Sequence, residues 1–146
     1  LAGERVQSLR EQEVRLGLED IEVYREFAVW VNRIREDVGG FIKEKVARGE
    51  KVYVYGASTK GNTLLQYFGL DRTLITAAAE RNRDKWGKET VGTRIPIVSE
   101  EVARAANPDY FLVLPWHFLE EFRMREKAYL LSGGKFIVPM PHFTLI

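Results

Sequence analysis

The chain has 146 residues, 45 % of them apolar and 12 % aromatic. That is one domain's length, with enough apolar side chain for a proper core, which excludes wholesale disorder. It has no cysteine, so disulfide scaffolds, thiolate metal sites and thiol catalysis are excluded together, and with two histidines a structural zinc site is not expected. Twenty-two basic residues against 21 acidic leave a net charge of +1, too weak a field to recruit nucleic acid or an anionic membrane by charge alone.

No run approaches the roughly 18 apolar residues of a membrane span. The opening Leu-Ala-Gly-Glu-Arg shows neither a signal-peptide pattern nor an initiator Met. The reading is a soluble, cytoplasmic piece of a longer polypeptide.

Residues 1 to about 50 contain no proline and are dense in Glu and Arg, whereas all five prolines come later. Val6, Leu9 and Leu16 make a thin apolar stripe, and Leu16 to Asp20 reads as a turn with Asp20 as N-cap. From Ile21, apolar residues recur at three and four through Tyr24, Phe27, Val31, Ile34, Val38, Phe41 and Val46. The pattern predicts a helix about 40 Å long at about 1.5 Å per residue, with Gly39-Gly40 as a point where it kinks or splits. So long a helix overhangs a small sheet. Residues 1–48 are therefore expected to be N-terminal helices for interdomain packing, and residues 49–146 a second unit.

After Gly49 the pattern alternates between strand and helix. Val52 to Tyr55 reads as a strand stopping at Gly56, Asn62 to Phe68 as a helix and Leu74 to Ala79 as a second strand. Ile95 to Val98 is extended by its proline, and Ser99 caps a helix opening with Glu100 and Glu101. Asp109 to Leu114 is nearly all apolar, as a strand covered on both faces must be. Phe118 to Ser132 reads as a helix closed by Gly133-Gly134, and Lys135 to Val138 as the last strand. Such alternation requires right-handed crossovers and a mostly parallel sheet. The expected fold is an α/β, Rossmann-like three-layer domain with an N-terminal helical lead-in.

In such sheets ligands bind at the carboxyl ends of the strands. Gly56, Ala57, Ser58, Thr59, Lys60, Gly61, Asn62 and Thr63 lie between a strand and a helix, where backbone amides, the helix N-terminus and Lys60 would face an anion. The loop is not a Walker A motif, because its lysine precedes the second glycine, and Ser58 replaces the middle glycine of G-x-G-x-x-G. The bland alternative is a tight turn with a solvated lysine. Glu80, Arg81 and Asn82 end the second strand, where an acid can accept ribose hydroxyls or be a surface charge. At the end of the third strand Trp116 could stack on a base or sugar and His117 could titrate near neutrality, although a lone His opening a helix is commonly structural.

Val52 to Leu65, Glu80-Arg81-Asn82, Gly92 to Val98, Asp109 to Phe118 and Gly133 to Pro141 together resemble the C-terminal domain of sugar C-methyltransferases. These are S-adenosylmethionine (SAM)-dependent enzymes acting on dTDP-linked deoxysugars. The resemblance covers nearly the whole chain. It implies an upstream SAM-binding domain, preceded in the family by a zinc-binding domain, with the SAM site and catalytic base upstream. It assigns this domain no cofactor and no catalytic residue of its own. Its implied contacts to the sugar nucleotide are the Gly56 to Thr63 loop, Glu80 to Asn82, and Trp116-His117. Glu80 stands where the family usually has Asp, and His117 where Asn is common. Two other readings stay open: an independent NAD- or CoA-binding domain, and a degenerate layer that only packs against partner domains.

Overall fold

The computed structural model describes residues 2–146. They form two compact units, residues 2–33 and Ile34–Ile146. The first contains helix α1 (Ala2–Arg15) and the start of helix α2 (Ile21–Ala47). Asp20 Oδ1 accepts the Glu22 amide at 2.9 Å, as expected of an N-cap, and Tyr24 donates its hydroxyl to the Leu18 carbonyl. Val6, Leu9, Leu16, Ile21, Tyr24 and Phe27 are all exposed. Helix α2 is not split at Gly39-Gly40: it runs unbroken through them, and buried Ile34, Val38 and Ile42 keep one face against the core.

The second unit is built on strands β1 (Val52–Tyr55), β2 (Ala78–Glu80), β3 (Ile97–Ser99), β4 (Tyr110–Val113), β5 (Lys135–Val138) and β6 (Thr144–Leu145). Their spatial order is β3-β2-β1-β4-β5-β6, parallel throughout except that β6 runs antiparallel to β5. The register pairs Tyr55 with Ala79 on one side and with Val113 on the other. Strand order therefore reverses between β1 and β4, which is where an open α/β sheet leaves a crevice at its carboxyl edge.

Period-2 alternation divides the core. Tyr53, Tyr55, Ala79, Phe111, Val113 and Phe136 face one way and pack with Ala103 and Phe122, from helices α4 (Glu100–Ala105) and α5 (Leu119–Arg125). On the opposite face Tyr110 meets Phe41 of α2 edge-on, ring centroids 5.4 Å apart. The result is the expected three-layer α/β architecture.

Several boundaries differ from expectation. Helix α3 (Thr59–Phe68) starts three residues before Asn62, because Ser58 is its N-cap. Strand β2 is confined to Ala78–Glu80: Leu74 and Ile75 fold back in a turn on the Asp71 carbonyl, so Ile75 and Ala77 are buried without belonging to a strand. Ile95 to Val98, read only as extended, supplies the edge strand β3, reached from β2 through a short 3-10 turn at Arg83–Lys85. The expected helix from Phe118 to Ser132 is instead a 3-10 turn (Trp116–Phe118), α5, and a separate α6 (Lys127–Leu131). The break falls at Glu126, whose carboxylate turns into the core. Strand β6 was not foreseen.

Candidate functional site

Strand β1 delivers the chain to Gly56 at the carboxyl edge of the sheet. Gly56 has φ +89°, and a Cβ there would stand 2.7 Å from Pro115 Cγ, so both backbone and space require glycine. Ser58 then caps α3, its Oγ accepting the Gly61 amide at 3.0 Å. At Gly61 a Cβ would meet Leu114 Cδ1 at 2.7 Å, so this glycine lets α3 approach the end of β4. The amides of Thr59 and Lys60, in the helix's first turn, have no intrahelical acceptors, and the helix dipole adds partial positive charge there.

The loop forms one wall of a cleft of about 450 Å³ lying entirely within the second unit. Gly56, Ser58, Thr59 and Lys60 line it, facing Ala79, Glu80, Arg81 and Lys85 at the end of β2, Glu100 at the start of α4, and Pro115, His117, Phe118, Phe122 and Arg125 beyond β4. Tyr55 also lines it. Four cations (Lys60, Arg81, Lys85 and Arg125) face two carboxylates, so the lining favours an anionic guest.

The structure thus brings most of the expected residues together and separates some. Gly56, Ser58, Thr59, Lys60, Glu80, Arg81 and His117 line the cleft; Ala57, Gly61, Asn62, Thr63, Asn82 and Trp116 do not. Ala57 and Gly61 are buried behind the loop. Asn82 Oδ1 caps the 3-10 turn by accepting the Asp84 amide. Asn62 carries a buried Oδ1 with no hydrogen-bond partner. Trp116 is half-buried and packs against the core cluster; His117 and Phe118 are the exposed rings at the rim, their centroids 4.3 Å apart.

Glu80 is more engaged than a free ribose acceptor would be. Its Oε1 accepts the amides of Arg81 and Asn82 at 2.9 and 3.0 Å, and its Oε2 accepts the Ala57 amide at 3.1 Å and lies 3.2 Å from Lys85 Nζ.

Beneath the cleft lies an ionic network that sequence reasoning missed. Glu126, only 2 % exposed, accepts the Tyr55 hydroxyl at 2.7 Å and both Nε and Nη2 of Arg104. Arg104 reaches on to Glu100 at 2.8 Å, and Arg125 Nε donates to the Tyr55 oxygen at 3.0 Å. Burial pushes the Glu126 carboxyl up, but hydrogen bonds from Arg104 and Tyr55 and the charges of Arg104 and Arg125 outweigh it and hold the group below its ordinary value. Burial and the neighbouring Glu126 carboxylate push the Tyr55 phenol up, keeping it a neutral donor. The network fixes Tyr55 and Arg125, two lining side chains, from below. Only Arg104 and Glu100, four apart on one helix, carried a local signal of it; Tyr55 and Glu126 are too far apart in sequence to show one.

Among the described residues no cluster of three His, Asp or Glu side chains is arranged to hold a metal, and no helix is long and apolar enough to cross a membrane.

Comparison with known proteins bears on this geometry. Residues 2–141 match the family model described as the C-methyltransferase C-terminal domain. Over 130 residues the chain is 40 % identical to the C-methyltransferase NovU of Streptomyces niveus, a match covering 89 % of this chain and 31 % of that protein. The chain therefore spans about a third of that relative's length. With a family model matched across nearly its whole length, and with the expected α/β sheet in place, the chain belongs to the C-methyltransferase C-terminal domain family.

Proposed function

We propose that this domain is the sugar-nucleotide-binding part of a SAM-dependent C-methyltransferase, and that its cleft takes the nucleoside diphosphate of the substrate. The supporting observation is the position of the cleft: it opens at the strand-order reversal, walled by a glycine loop and a helix N-terminus and lined by a surplus of cations. Lys60 and the amides of α3 would hold the phosphoryl oxygens, and His117 and Phe118 would border the remainder of the guest. Chemistry at the sugar is proton abstraction beside a keto group, followed by attack of the carbanion on the methyl donor. The base and the SAM site belong to the upstream part of the polypeptide, so this chain alone transfers no methyl group. A dTDP-linked sugar is the substrate favoured by the family resemblance. The exposed apolar residues of α1 and early α2 supply a packing surface for the upstream domain.

A second reading, an independent NAD- or CoA-binding domain, is favoured by the strand order alone. One experiment separates the two. A thermal-shift panel with millimolar dTDP, UDP, NAD(H), CoA and SAM is run on this chain and on Lys60→Ala. At about 100 times the dissociation constant a ligand adds about 2.7 kcal/mol, a shift of several degrees for a chain of this size. The proposal predicts a shift with dTDP that Lys60→Ala removes. A response to NAD(H) or CoA with none to dTDP would refute it.

A further inference from the structure

The anion-facing loop is tied to the end of β2 by two side chains acting on a single residue, Ala57. Glu80 Oε2 accepts the Ala57 amide at 3.1 Å, and Lys85 Nζ donates to the Ala57 carbonyl at 2.8 Å. Lys85 Nζ also lies 3.2 Å from Glu80 Oε2, closing a ring in which both backbone polar groups of Ala57 are held by one ion pair. The Glu80 side chain is 14 % exposed, and its other oxygen is held by the Arg81 and Asn82 amides. An ionised carboxylate offers about four lone-pair sites, and four donors already occupy this one. A ribose hydroxyl would have to displace one of them.

We propose that Glu80 and Lys85 are positioning residues that clamp Ala57, and so fix the Gly56–Lys60 loop in its anion-receiving conformation, and that Glu80 does not contact the nucleoside. The inference rests on the reading of the cleft as a nucleoside-diphosphate site and adds how that site is preorganised. A loop already held in one conformation loses little conformational freedom when a diphosphate arrives. Ala57 lies between Gly56 and Ser58, the N-cap of α3, so holding both of its backbone polar groups restrains the chain that enters the helix. Trp86 strengthens the frame by donating its Nε1–H to the Glu80 carbonyl at 2.8 Å.

The clamp and a ribose contact differ in which ligands feel the loss of Glu80. Inorganic pyrophosphate has no ribose, whereas dTDP does. Calorimetric titrations of both into this chain, Glu80→Gln and Lys85→Met, are run well below each variant's melting temperature, so that lost affinity is not lost folding. Whichever way the glutamine amide turns, its NH₂ faces donors: it loses either the Ala57 amide directly or the Arg81 and Asn82 amides that hold the side chain against Ala57, and in both cases Lys85 loses its countercharge. The clamp predicts that pyrophosphate and dTDP weaken by the same factor, about tenfold or more, in both variants. Weaker dTDP binding with unchanged pyrophosphate binding in Glu80→Gln would overturn it in favour of a nucleoside contact. A ligand-free arm keeps this inference separate from the nucleotide reading. Amide hydrogen exchange at Ala57 should accelerate in Glu80→Gln, and unchanged exchange there overturns the clamp. If the unmutated chain binds neither ligand, the nucleotide reading fails, and the exchange result alone decides the clamp.

Discussion

Replacing Glu126 with glutamine tests whether the network beneath the cleft is held by charge. Glu126 is 2 % exposed and accepts from Tyr55 and from two nitrogens of Arg104. Glutamine keeps the volume and one acceptor oxygen, but presents an NH₂ to Arg104 or to Tyr55 and removes the countercharge. Breaking a buried ion pair from one side costs about 3–5 kcal/mol. Arg104 is 36 % exposed and retains Glu100, so solvent and the second carboxylate reduce the loss, to about 2–3 kcal/mol. For a chain of this length each kcal/mol lowers the melting temperature by roughly 2–4 °C, giving a drop of about 4–12 °C at neutral pH. The pH dependence supplies an independent check. Because the folded Glu126 carboxyl lies below its ordinary value of 4.5, its stabilising contribution is complete above that value and is lost as pH falls through the lower folded one. Urea denaturation followed by circular dichroism should show the gap between the native and Glu126→Gln chains closing on acidification. A gap under about 1 kcal/mol at neutral pH, or one that persists below the folded titration, would refute the reasoning.

Three further outcomes follow from the same geometry. Gly56→Ala must hold an L side chain at φ +89° against Pro115 at 2.7 Å, so urea denaturation should show a loss of about 2–4 kcal/mol, and dTDP should no longer shift the melting curve. Trp116→Leu removes packing from the core cluster: it should lower the melting temperature while leaving dTDP affinity, measured by titration, within about twofold, because the ring does not line the cleft. Leu9→Glu combined with Phe27→Glu places charge on exposed apolar positions; in the complete parent polypeptide it should lower methyl-transfer activity, whereas the dTDP affinity of this chain should not change.

The sheet was legible because parallel strands buried on both faces read as continuous apolar runs, and Val52 to Tyr55, Tyr110 to Val113 and Phe136 to Val138 are such runs. Legibility failed where burial and strand formation part company. Ile75 is fully buried and Leu74 partly so, yet the Asp71 carbonyl holds them in a turn. It failed again at Glu126, whose charge reads as a solvated helix position until Arg104 and Tyr55 are brought to it by the fold. Strand β6 is two exposed residues and carries no pattern to read. Within the cleft, the glycine loop announced itself through its spacing between a strand and a helix. Arg125, Phe122 and Glu100 did not, because α4 and α5 bring them to the loop only through the crossovers of the sheet. Trp116, an aromatic residue after a strand, suggests a stacking platform; it packs in part against the core cluster and is not among the residues lining the cleft.

The central claim is that the Gly56 to Thr63 loop receives a nucleoside diphosphate. The most direct measurement is an amide-resolved NMR titration of this chain with dTDP. The account predicts saturable shifts concentrated at Gly56, Ser58, Thr59 and Lys60 and reaching Glu80 and Arg81, and their loss in Lys60→Ala. Saturable shifts centred elsewhere, for instance on the separate cleft between Arg35 and Gly69, or no shifts at millimolar dTDP, would contradict it.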